Sequence, residues 1–440
     1  MSDTFAIIGA GPAGLATAKN FRQLGLQVEL LEREDDVGGN WYFGRPSSSV
    51  CHSTHMISSK RMSQLADFPM PKEFPPYPHH AQVLTYLRDY ARHFGLYDVT
   101  RFQTSVSRVE LAPESNSRDE RWQITLASGE VKTYAGVVVA SGHHHDPLWP
   151  QLPGNFTGKM LHARDYKTPD QIRDQRVLVI GGGNSGCDLA VEAAQHGSAS
   201  FLSLRRGYHF LPKFLFGGPL DAGGELFDRY HVPMWLQQRV TAWLVKIAVG
   251  RPERYGLPKP DHRLFETHPI VNSQLLYAVG HGHVHVRPAI KHLEGNRVTF
   301  ADGREEQVDV ILCATGYQTT FPFLDSSLLM NDNGSPKLFL NAFHPQHDKL
   351  FVAGLIQPNG AIWPLVDAQS RLMAAFIKTS NQAGKADWFR QLKARGHDDL
   401  GGGIHYDRSP RHYLEVEFFA YRRRLKQLLQ RFGSSGNPKR

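Results

Sequence analysis

Two glycine-rich turns, each set between an apolar strand and a helix, constrain this chain more than any other feature. Residues 4–8 read as a short apolar strand, and Gly9-Ala10-Gly11-Pro12-Ala13-Gly14 follows. Helix-favouring residues then run to Gly25, and residues 28–32 read as a second strand. The unit recurs as strand 176–180, turn Gly181-Gly182-Gly183-Asn184-Ser185-Gly186, helix 187–196 and strand 199–204, its first glycine 172 residues after Gly9. In such a turn the first glycine permits a sharp reversal. The second lets a pyrophosphate approach the backbone, and the third lets helix pack on strand. The helix N-terminus offers N–H groups and partial positive charge to the phosphates. The pattern alone is weak, but the strand-turn-helix context strengthens both copies.

The residues that close the two units differ, and the difference assigns their ligands. Glu32 stands 18 residues after Gly14, placed to accept hydrogen bonds from ribose hydroxyls and to repel a 2′-phosphate. That suits the AMP half of FAD or NAD. Arg205 and Arg206 follow Gly181 by 24 and 25 residues, and a guanidinium fork matches a 2′-phosphate, which suits NADPH. Together they predict a flavoprotein fed by NADPH. Disulfide reduction lacks its parts, because Cys51, Cys187 and Cys313 are nowhere closer than 126 residues. Cys187, inside the second turn's helix, reads as a small core residue rather than a nucleophile.

A family resemblance rests on motifs spread along the chain. Phe156-Thr-Gly158-Lys-Met-Leu-His162-Ala-Arg-Asp-Tyr166-Lys167 is similar to the F-x-G-x3-H-x3-(Y/F)-K fingerprint of flavin-containing monooxygenases. Gly38-Gly39-Asn40-Trp41, Asp67–Pro71, Gly183–Asp188, Cys313–Tyr317, Pro322–Asp325 and Gly354–Arg371 stand in the order that family has them, so that the resemblance spans about residues 4–425. It implies an α/β fold of two Rossmann-like dinucleotide-binding domains of the glutathione-reductase type, three-layered, with the NADPH domain inserted into a discontinuous FAD domain. Residues 1–165 and 306–440 would form the FAD domain and 166–305 the NADPH domain, with an insertion at 214–260. FAD would lie on Gly9, Gly11, Pro12, Ala13, Gly14, Glu32, Gly39, Asn40 and Trp41. NADPH would lie on Gly181, Gly183, Asn184, Ser185, Gly186, Cys187, Asp188, Arg205 and Arg206, with Gly316 and Gln357 on the flavin side.

The reaction implied is reduction of FAD by NADPH, addition of O₂ at flavin C4a, and oxygen transfer to an amine nitrogen or sulfide sulfur in a water-poor pocket. The Tyr166-Lys167 ending separates the chain from ketone-oxygenating Baeyer–Villiger relatives, which end the fingerprint in Trp-Pro or Trp-Asp. That activity, or a weakly coupled NADPH oxidase, is the alternative. The chain departs from the family near the flavin face, where Ile57 occupies the usual Asn position, leaving Ser58 as the nearest polar candidate and implying weaker coupling. His162 reads as a hydrogen-bonded hinge histidine rather than a catalytic group.

Composition narrows the partners. The net charge of +8 is concentrated at residues 421–440, with seven Lys/Arg and no acid, and at 205–260, with nine Lys/Arg against four acids. A general nucleic-acid surface is therefore excluded. The N-terminus lacks a signal-peptide pattern, and the apolar stretch 350–366 is broken by two prolines, so a cytoplasmic protein with no integral membrane segment is expected. Residues 235–247 carry Trp, Leu, Val and Ile at helical spacing. A helix capping the substrate channel is the plainer reading, and an interfacial helix on anionic lipid the alternative. A homodimer stays open. His281, His283 and His285 alternate as if on one strand face, but with no carboxylate or cysteine partner at ligand spacing no metal is expected.

Overall fold

Phe5–Ile8 shows no polar alternation, which suits a strand covered on both faces. It forms β1 (Thr4–Ile8), the central strand of a parallel sheet. The computed structural model describes residues 3–115, 119–380, 382, 384–396, 398–407 and 409–434. Packing divides the chain into two compact units, the first comprising Met1–Ser47, Ser58–His143 and Thr319–Arg440, and the second Ser48–Ile57 with His144–Gln318.

In the first unit β1 leads through the glycine turn into α1 (Pro12–Gln23), with Pro12 in the first helical turn, where its missing N–H costs nothing. Gly25, at φ +80°, stops the helix, and β2 (Gln27–Leu31) pairs parallel with β1. After helix α2 (His80–His93) come β3 (Thr100–Arg101), a three-stranded antiparallel meander over 106–134, and β4 (Gly136–Val139) on the other side of β1.

The second unit repeats this plan. β5 (Lys159–His162) precedes β6 (Arg176–Ile180), α3 (Asn184–His196) and β7 (Ala199–Ser203). The insertion carries α4 (Met234–Ala248). β8 (Val284–Arg287), antiparallel strands over 290–307, and β9 (Val310–Cys313) follow. The sheet order is β5-β9-β6-β7-β8, all parallel, with the glycine-turn strand in the middle. This unit is wider than the 166–305 expected of a nucleotide domain, because β5 and β9 hydrogen-bond into its sheet.

The chain returns to the first unit, where β10 (Leu350–Val352) completes the order β10-β4-β1-β2-β3. Helices α5 (Trp363–Ser380) and α6 (Phe418–Ser434) follow. In both sheets the strand after the glycine helix lies on one side of the turn strand, and a strand from much later in the chain lies on the other. The ends of β1 and β6 are therefore topological switch points, where open α/β sheets leave a crevice for ligands.

One buried charge cluster ties distant segments of the first unit together. Lys19 on α1 is 1% exposed, and its ammonium donates to Asp67 (2.5 Å) and to Asp367 on α5 (3.0 Å). The Asn20 amide donates to Asp367 Oδ1 (2.9 Å) and Ser370 Oγ (2.6 Å), and Arg371 closes on the other Asp367 oxygen at 2.9 Å. Removing one member of a buried pair strands the remaining charge. Asp367→Ala is expected to cost about 3–5 kcal/mol, read as a lowered midpoint in thermal or urea unfolding. A loss no larger than that of a surface substitution would show that Asp67 alone satisfies Lys19.

Candidate functional site

Sterics at the first turn require glycine at three points. Gly9 has φ +105°, and a β-carbon there would sit 2.8 Å from the Ala140 carbonyl oxygen. A β-carbon on Gly14 would overlap the carbonyl of Gly9 itself. Gly39, at φ +54°, lies against Gly11, where an added β-carbon would come within 2.8 Å of the Gly11 α-carbon. Gly11 caps α1 with no side chain accepting from its first turn, so main-chain donors are left for an anion. Pro12 and Ala13 are half-buried beside it, as are Asn40 and Trp41 in the helical turn Gly39–Trp41. Trp41 meets Trp363 edge-on at 6.2 Å, and Trp363 stacks on Tyr86 at 6.0 Å.

Glu32, one residue past β2, is 5% exposed. Its Oε2 accepts the Ala10 N–H (2.6 Å) and its Oε1 the Glu34 N–H (2.9 Å). Burial pushes its carboxyl above the usual carboxylate value, and the two N–H bonds oppose that rise. Each oxygen retains a lone pair for a hydroxyl donor. This is the chemistry a ribose diol requires.

The second turn repeats the sterics. Gly181 has φ +112°, and a β-carbon on Gly186 would overlap the Gly181 carbonyl. Gly183 caps α3 without a side-chain partner, and Ser185 is exposed. Asn184 and Asp188 both bond to protein, although Asp188 stays exposed. Asn184 Oδ1 accepts the Val271 N–H (2.7 Å), and its amide donates to Pro269 O (3.1 Å). Asp188 accepts from Asn272 (2.6 Å), which in turn accepts the Leu275 N–H (2.8 Å). Cys187 is fully buried in the second unit's core. Of the two arginines beyond β7, Arg205 is exposed, whereas Arg206 pairs with Asp261 at 2.7 Å. Asp261 and Asn272 escape sequence reading because they lie 55 and 84 residues from their partners.

The fingerprint motif builds a hydrogen-bonded corner of the second unit. His162 is buried. Its Nδ1 accepts the Arg164 N–H (3.1 Å), and its Nε2 lies 3.1 Å from Gly316 O. A neutral ring with the proton on Nε2 satisfies both contacts, and burial lowers its basicity to match. Tyr166 lies in the same unit's core. Lys167 donates to Ser48 O (2.8 Å), Arg164 O (2.7 Å) and Val50 O (3.3 Å). Gly316, at φ +91°, belongs to this corner. Gln357 lies in the first unit, where its N–H meets Leu414 O (2.6 Å) in a short ladder with Glu415–Val416. Ile57 is exposed in the second unit and Ser58 half-buried in the first, before Ser59, which caps a short helix.

Other residues singled out by sequence are dispersed. His281 ends a helix and bonds Tyr277 O, while His285 lies on β8, so the three histidines do not share a strand face. Among the described residues no cluster of His, Cys, Asp and Glu could hold a metal. All three cysteines are buried, and burial pushes the Cys51 thiol up and Cys313 up to about 12. No helix among the described residues is long and apolar enough to cross a membrane.

The chain as a whole offers two uncapped helix starts at glycine cradles, one beside a buried carboxylate and the other beside a guanidinium pair. That donor set fits two dinucleotides of opposite 2′ chemistry. Comparison with known proteins agrees with this reading. The family described as flavin-binding monooxygenase-like matches residues 2–395. Flavin-containing monooxygenase 5 of Rattus norvegicus is 36% identical over 402 residues, covering 85% of this chain and 73% of the relative. The N-oxide-forming dimethylaniline monooxygenase 2 of Pan troglodytes is 35% identical over 398 residues, covering 86% and 74%. The fold is similar to S-allyl-L-cysteine S-oxygenase of Allium sativum, with TM-score 0.67, 21% identity and coverage of 98% and 89%. It is also similar to cyclohexanone-bound cyclohexanone monooxygenase, with TM-score 0.71, 17% identity and coverage of 99% and 98%. The chain therefore belongs to the flavin-binding monooxygenase-like family and is a flavoprotein monooxygenase that works with FAD, NADPH and O₂.

Proposed function

We propose that this monooxygenase oxygenates a soft nucleophile, converting an amine nitrogen to an N-oxide or N-hydroxyl product or a sulfide sulfur to an S-oxide. Bound flavin, reduced by NADPH, supplies the activation of O₂. The protein binds, orients and excludes water.

The observation that carries the reading is Lys167. Its ammonium serves three main-chain carbonyls, two of them in the 48–50 loop. Neither the Pro nor the Asp that closes the ketone-oxygenating fingerprint could donate those bonds. Similarity to an N-oxide-forming relative supports the same choice. A panel of tertiary amines, sulfides and ketones tests it. One added oxygen on nitrogen or sulfur is expected, and esters from ketones as the main product would overturn it.

FAD is assigned to the Gly9–Gly14 turn with Gly39–Trp41, its ribose on Glu32. NADPH is assigned to the Gly181–Gly186 turn, with Arg205 the more available reader of the 2′-phosphate because it is exposed. Asn184 and Asp188 act as positioning residues, since they hold Pro269–Asn272 against the turn. The domain roles follow: the first unit binds FAD and the second NADPH.

The exposed stripe of α4 supports peripheral contact with an anionic surface. Only Thr241 of its fifteen residues is buried, and Trp235, Trp243 and Ile247 are each more than half exposed. Arg239 and Lys246 interleave with them, Arg239 lying over the Trp235 ring at 5.4 Å, and the helix has no acid. Tryptophans among snorkelling cations match a lipid interface.

Three outcomes are expected. Arg205→Ala should raise KM for NADPH roughly ten- to a hundredfold, the range of a lost charge-assisted bond, with little change for NADH in stopped-flow flavin reduction. Ile57→Asn should lower the fraction of NADPH consumption that appears as H₂O₂, since an amide donor replaces an apolar side chain; an unchanged yield would remove position 57 from the coupling. The protein should co-sediment with phosphatidylserine vesicles at low salt, and Trp235→Ala with Trp243→Ala should release it. Equal sedimentation of the double variant would count against α4.

A further inference from the structure

Arg206 is one of two guanidiniums offered to the nucleotide, yet it already has an anion. Its Nε and Nη2 lie 3.1 and 2.7 Å from the same oxygen, Asp261 Oδ1. That edge of the guanidinium is one a phosphate would take in a forked contact. Asp261 is itself held in place: His262 Nδ1 lies 2.7 Å from Oδ1, and the far side of that ring, Nε2, meets Thr267 Oγ1 at 2.8 Å. His209 reaches His262 O at 2.8 Å. A bridge from Gly207 to Pro260, the parallel pair Phe210–Leu211 with Ile270–Val271, and the Asn184 clamp dock the whole segment beside the second turn. His262 and Arg206 together hold the Asp261 carboxyl down at about 2, so it is charged at any working pH.

We infer that Asp261 is a specificity-determining residue for the nicotinamide nucleotide, restraining Arg206 so that a 2′-phosphate must displace a carboxylate to be gripped. The inference rests on the assignment of Arg205 and Arg206 to the 2′-phosphate. A nucleotide with a free 2′-hydroxyl has no use for Arg206 and leaves the pair intact. A 2′-phosphate carries enough charge to compete for the fork, and part of its binding is offset by breaking the pair. Asp261 therefore moderates the grip on the phosphorylated nucleotide without touching the other. The device is one of release: an oxidised nucleotide that must leave after turnover is held less tightly than two unrestrained arginines would hold it.

Binding of NADP⁺ and NAD⁺ to the FAD-loaded enzyme, measured by calorimetry, tests this. Asp261→Asn keeps the side-chain shape and should tighten NADP⁺ by roughly two- to fivefold, the range of a part-exposed ion pair, with NAD⁺ unchanged. In an Arg206→Ala background the same substitution should give no gain. Weaker NADP⁺ binding by Asp261→Asn would overturn the inference, because Asp261 would then be orienting Arg206 toward the phosphate. A gain that persists without Arg206 would also overturn it, since the carboxylate would act by direct repulsion. If neither Arg205→Ala nor Arg206→Ala alters the preference for NADP⁺ over NAD⁺, the assignment of the arginines fails, whatever Asp261 does.

Discussion

The contact of one glycine with the carbonyl of another governs this structure. At Gly14 and again at Gly186, a β-carbon would overlap the carbonyl oxygen of the first glycine of its own turn. That closeness seats α1 on β1 and α3 on β6 and leaves each helix start uncapped by a side chain. The repeat reaches past the turns. Each unit places its glycine strand third of five, inserts antiparallel strands, and then adds a late strand on the far side of the turn strand. Two switch points of one design result, the places where open α/β sheets leave a crevice for ligands.

The motif side chains share a habit that suits chemistry carried by a cofactor. Glu32 accepts two main-chain N–H groups, His162 serves an N–H and a carbonyl, and Asn184 holds both a donor and an acceptor of one extended segment. Lys167 caps three carbonyls, and Gln369 accepts the Gly354 N–H. Loops satisfied in this way hold their backbone in place without regular secondary structure. These motif side chains thus bond to main chain, a pattern compatible with chemistry carried by a cofactor.

The parts legible in the sequence are those whose physical requirement is local. A glycine turn between an apolar strand and a helix is a matter of sterics within some thirty residues, and the helix at 234–248 follows from spacing alone. What periodicity could not say is which way that helix faces. The plainer reading puts Trp235 and Trp243 over a substrate channel, and the structure exposes both. Asn184 and Asp188 sit in a nucleotide motif, so sequence reading assigns them to the nucleotide. Their partners, Pro269 to Asn272, are brought in by a long insertion whose path no local pattern encodes. The pairing of Arg206 with Asp261 was hidden for the same reason. The unit boundaries shift because β5 and β9 are joined by hydrogen bonds across 151 residues.

The burial of all three thiols bears on an enzyme whose oxygen chemistry can release peroxide. Peroxide attacks the thiolate, not the thiol, and needs access to it. Cys51 and Cys313 are held protonated by their surroundings, and Cys187 has no exposed surface. Peroxide released by a turnover that misses its substrate therefore finds none of the three thiols readily accessible as thiolate.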